Sequence, residues 1–164
     1  MPTLIVEDGS MASASANSYV TVAEVTTFCE DYGLSQWAAL AAIATSDQIP
    51  SILRGMAYIE SLSFKGEKYE YDNPLEWPRI LDDDEWDEQI PPRLKMAVCR
   101  AAYEEAISPG VLQPNLTNNI KSEKVDVLSV EYFDSKPPQT IYSSIAGFLK
   151  GLVQSGNYAT LLRT

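Results

Sequence analysis

Four stretches of this chain repeat their apolar residues at intervals of three and four, and one stretch repeats them at intervals of two. The helical sets are Val22, Val25, Cys29 and Tyr32; Ile49, Ile52, Leu53, Met56 and Ile59; Leu94, Ala97, Val98 and Ala101; and Ile141, Ile145, Phe148, Leu149 and Leu152. Spacing of this kind gathers the residues on one side of a helix, and each such side must be covered by another element. The exception is Leu128, Val130 and Tyr132, which alternate with Ser129, Glu131 and Phe133 and predict a strand. Lys121–Val125 is its expected partner across a tight turn. The expected fold is mainly α: a small helical bundle with a β-hairpin and an extended N-terminal arm. One domain spans residues 1–164, with an arm at 1–20 and a tail at 154–164.

Local signals set the expected boundaries. Thr21 and Glu24 form a capping box, and Gly33 stops the helix that follows. Ser35 can cap a short helix carrying Trp37 and Leu40. Ser46 or Asp47 opens the next, with Pro50 tolerated only in its first turn. Pro91 or Pro92 begins the longest helix, which runs to Ile107 before Pro109-Gly110. Its alanines would permit close helix–helix approach. Residues 2–19 read as an extended arm with a β-like piece at Thr3–Val6. Residues 64–89 are aromatic, acidic and proline-containing without a sustained period, and read as a long ordered loop in which Pro78 holds Trp77 extended.

Charge excludes more than it suggests. The net charge is −11, and it is uneven. Residues 67–88 alone carry ten acids against two bases, whereas residues 119–164 carry four against five. An acidic surface repels phosphate and forgoes the counterion release that drives ordinary nucleic-acid binding. The chain has no His and only two Cys, Cys29 and Cys99, both at apolar helix positions. A zinc site of the usual ligand set and a Ser–His or Cys–His nucleophile are therefore not expected, and no P-loop or dinucleotide glycine motif is present. Neither a signal peptide nor an apolar membrane span is legible, so a soluble protein made in a cytoplasm is expected.

Four features are candidate sites. The run Asp82-Asp83-Asp84-Glu85-Trp86-Asp87-Glu88 reads either as a solvated acidic loop or as a hard-cation site, without the spaced acids and glycine of an EF-hand. Arg93, Lys95 and Arg100 read as a mixed solvent face with ion pairs. Trp37 and Trp77 read as core or loop anchors rather than base-stacking platforms. The hairpin over Lys121–Phe133 reads either as folded on its own helices or as an exposed edge for a partner.

Five phrases connect these elements: Leu4-Ile5-Val6-Glu7-Asp8-Gly9; Ala16-Asn17-Ser18-Tyr19-Val20; Leu75-Glu76-Trp77-Pro78-Arg79; Ile90-Pro91-Pro92-Arg93-Leu94-Lys95; and Ile120-Lys121-Ser122-Glu123-Lys124-Val125 running into Ser129-Val130-Glu131-Tyr132. In order and spacing, over roughly residues 3–153, they resemble the head–tail connector (adaptor) proteins of tailed phages. Relatives of this kind are often labelled DnaT-like single-stranded-DNA-binding. The resemblance implies a structural protein of the virion rather than an enzyme, without cofactor or metal. It implies a ring, dodecameric in relatives, that docks under the portal protein, prolongs the channel for genomic DNA without binding it specifically, and offers a platform to a tail-side neck or tail terminator protein. Portal contact in the family often uses a C-terminal extension, here the segment holding Tyr158, Leu161, Leu162 and Arg163. The subunit interface is expected at the hairpin, through Lys121, Glu123, Val125, Leu128, Val130 and Tyr132. The other label implies a single-stranded-DNA-binding replication accessory protein, against which the charge and the lack of a basic, aromatic groove both speak.

Overall fold

The computed structural model describes residues 2–10, 14–43, 48–81, 89–113, 122–125, 128–131 and 142–154. Within them the chain is mainly helical, in the order α1 (Val22–Asp31), α2 (Gln36–Ile43), α3 (Gln48–Glu60), β1 (Glu67–Lys68), β2 (Arg79–Ile80), α4 (Pro92–Ile107), β3 (Ser122–Val125), β4 (Leu128–Glu131) and α5 (Ser143–Leu149). The longest of these helices, α4, is central and packs against α1, α2, α3 and α5. Leu94, Ala97, Val98 and Ala101 are fully buried on it, as their spacing predicts.

The local stop and start signals act where expected. Thr21 caps α1 with the Glu24 amide on its hydroxyl, and the Glu24 carboxylate returns to the Thr21 amide at 2.6 Å. Gly33 follows at φ +67. Pro91 and Pro92 open α4, and Pro50 occupies the third residue of α3. The residues expected to cap α3, Ser46 and Asp47, lie outside the described residues.

α3 departs from its predicted stripe. Its buried face is Gln48, Ser51, Ile52, Gly55, Met56, Tyr58 and Ile59, while Ile49 and Leu53 are only half-buried. The reason is the α3–α4 crossing, the most extensive contact between elements. A Cβ on Gly55 would lie 2.8 Å from the Ala102 amide nitrogen and 3.0 Å from the Ala101 carbonyl carbon. The helices meet backbone to backbone, and small residues rather than large ones define the seam.

The N-terminal segment is also more folded than an extended arm. Asn17 and Ser18 donate their amides to the Ile5 carbonyl, and Glu7 donates to Ser18 in a parallel bridge between Val6 and Ser18. The Asn17 side chain closes the loop, accepting from the Ile5 amide and donating to the Thr3 carbonyl. The predicted loop over 64–89 contains a short antiparallel ladder, with Glu67 opposite Ile80 and Lys68 opposite Arg79. Its first residues also bridge to the C-terminal side: Phe64 pairs with Val153, Lys65 donates to Leu152, and Gln154 donates to Ser63.

The predicted hairpin is present. β3 and β4 pair antiparallel, with Ser122 opposite Glu131, Glu123 opposite Val130, and Val125 opposite Leu128.

Candidate functional site

Two of the five phrases meet at the end of α3. The Trp77-Pro78 peptide is cis, and the Trp77 side chain is wholly buried, edge-on to Phe64 at 5.8 Å. Asn73 holds this turn by donating to the Trp77 carbonyl and accepting the Leu75 amide. The Tyr19 hydroxyl, from the second phrase, accepts the Trp77 amide at 3.0 Å and donates to Glu60 at 2.5 Å. The other Glu60 oxygen accepts the Glu76 amide at 2.8 Å. Arg79 completes the junction: its guanidinium reaches the carbonyls of Lys65 and Gly66 and the Glu76 carboxylate. Gly66 sits at φ +70, and a Cβ there would overlap the Ile80 carbonyl.

Burial pushes the Glu60 carboxyl above its usual range and the Tyr19 phenol far above its own. The Tyr19 hydrogen bond and the Glu76 amide favour the Glu60 carboxylate but do not offset desolvation. The junction is thus a structural latch. It ties the N-terminal loop and the Leu75–Arg79 turn to α3, while the buried Trp77 indole N–H has no hydrogen-bond partner among the described residues.

A second buried carboxylate anchors the far end of α4. Glu105 accepts from Arg54 at 2.9 Å and from the amides of Gly110 and Leu112. Tyr142 then joins that turn to α3, its hydroxyl donating to the Val111 carbonyl while its amide donates to the Tyr58 hydroxyl.

The cations of the expected mixed face are largely engaged. Lys95 pairs with Glu24 at 3.2 Å, Arg100 with Glu104 at 2.7 Å and over the Tyr103 ring, and Arg93 donates to the Gly147 carbonyl. Trp37 is buried, with its indole N–H on the Thr26 hydroxyl, so it joins α1 to α2 as a core anchor. Cys29 and Cys99 are free and buried, and desolvation pushes their thiols up to about 11 and about 12, which keeps them protonated and unreactive. A cavity of about 280 Å³ opens beside Thr26, Cys29, Leu34 and Trp37, between α1 and α2. Among the described residues no group of three or more His, Cys, Asp or Glu could hold a metal ion, and no helix is long and apolar enough to cross a membrane.

Of the expected interface residues, Glu123, Val125, Leu128 and Val130 lie on paired strands of the hairpin. Lys121, Tyr132, the acidic run 82–88 and the tail residues Tyr158, Leu161, Leu162 and Arg163 lie outside the described residues. Two surface features escaped the sequence reading. Met96 and Ile107 are exposed on α4, Ile80 on β2, and Tyr71 in the connection between β1 and β2. The spacing of Arg93, Met96, Arg100 and Ile107, on the side of α4 away from Leu94, carried the first of these signals.

The family described as "Putative DnaT-like ssDNA binding protein" matches residues 2–164, and the chain belongs to it. No curated protein and no solved structure matches the chain.

Proposed function

We propose that this protein is a structural head–tail connector of a tailed bacteriophage, not an enzyme. Copies form a ring under the portal protein in the virion, extend the DNA channel and offer the tail its attachment platform. The ring is dodecameric, as in the proteins the chain resembles. DNA passes through without specific binding. The observation that carries this reading is the use made of two of the distinctive phrases: the Tyr19 hydroxyl and the Glu76 and Trp77 amides are joined to Glu60 as a fold-holding junction, and among the described residues Arg54, Arg79, Lys95 and Arg100 are paired with carboxylates rather than lining a basic groove. The hairpin is the proposed subunit contact, and Tyr158, Leu161, Leu162 and Arg163 the proposed portal contact.

The test is a phage lacking this protein. Its heads should package DNA and fail to hold tails in negative-stain images. Normal tailed virions from the deletion would overturn the reading.

The family's description favours a second reading, a single-stranded-DNA-binding replication accessory protein. Against it stand the net charge of −11 and the pairing of Arg54, Arg79, Lys95 and Arg100 with carboxylates. A fluorescence-anisotropy titration decides between them: no binding at physiological salt is expected, and a micromolar or tighter Kd would make the second reading the better one.

A further inference from the structure

We draw no further inference here: the strongest candidate, the cavity of about 280 Å³ between α1 and α2 beside Cys29, Leu34 and Trp37, carries nothing because nothing in the structure shows what covers it.

Discussion

Tyr19 and Glu60, 41 residues apart in the chain, meet through a 2.5 Å hydrogen bond, and the same Tyr19 oxygen receives the Trp77 amide. One phenol therefore joins three segments that have no local reason to be near one another.

Removing that hydroxyl leaves a buried amide and a half-buried carboxylate oxygen without their partner. Tyr19→Phe should cost about 1–3 kcal/mol, which for a chain of this size lowers Tm by several degrees. Differential scanning calorimetry measures it; an unchanged Tm would show that the latch does not contribute to stability.

Glu60 gives the latch a pH dependence. Desolvation raises its folded-state pKa above the ordinary 4.5, so the folded protein holds the proton more tightly than the unfolded chain. The stability this contributes is fully present below about pH 4.5 and is lost as pH rises through the raised value. Glu60→Gln cannot titrate. Whatever the offset between the two proteins, Tm of the variant minus Tm of the wild type should increase from pH 4 to pH 7. A flat or falling difference in buffered melting scans would refute the assignment.

The α3–α4 seam tolerates no added atom. Gly55→Ala places a methyl group against the Ala102 and Ala101 backbone and should destabilise by about 1–3 kcal/mol. Gly147→Ala is the control. Gly147 lies within α5, a Cβ there meets nothing within 4 Å, and the substitution should stabilise by up to about 1 kcal/mol. Urea titrations of both variants should move the midpoint in opposite directions.

Gln154, the last described residue, donates its amide to the Ser63 carbonyl. Deleting residues 155–164 preserves that anchor and should leave Tm nearly unchanged while weakening portal binding in a pull-down. Deleting residues 152–164 removes buried Leu152 and the bridge between Phe64 and Val153, and should lower Tm by several degrees. A marked loss of Tm in the shorter deletion, with portal binding intact, would place the tail in the core.

The sequence alone determined what acts over one turn or one strand pair. Thr21 with Glu24, Gly33, and Pro91 with Pro92 each set a helix boundary through groups a few residues away, and the alternation over Leu128–Tyr132 marked the hairpin. These signals are local because capping, proline geometry and side-chain periodicity are local. Tertiary structure decided the rest. The buried face of α3 turned toward Ser51 and Gly55 because α4 offers Ala101 and Ala102 there, a fact written on another helix. The Glu67–Ile80 ladder and the Tyr19–Glu60–Trp77 latch join residues 13 to 58 positions apart. No periodicity encodes such pairings; they form because a buried hydroxyl, carboxylate or amide must find a partner once water is excluded. The two faces of α4 were legible along the chain, with Leu94, Ala97, Val98 and Ala101 on the buried side and Arg93, Lys95 and Arg100 toward solvent; which face of α3 meets the buried side was decided only by packing.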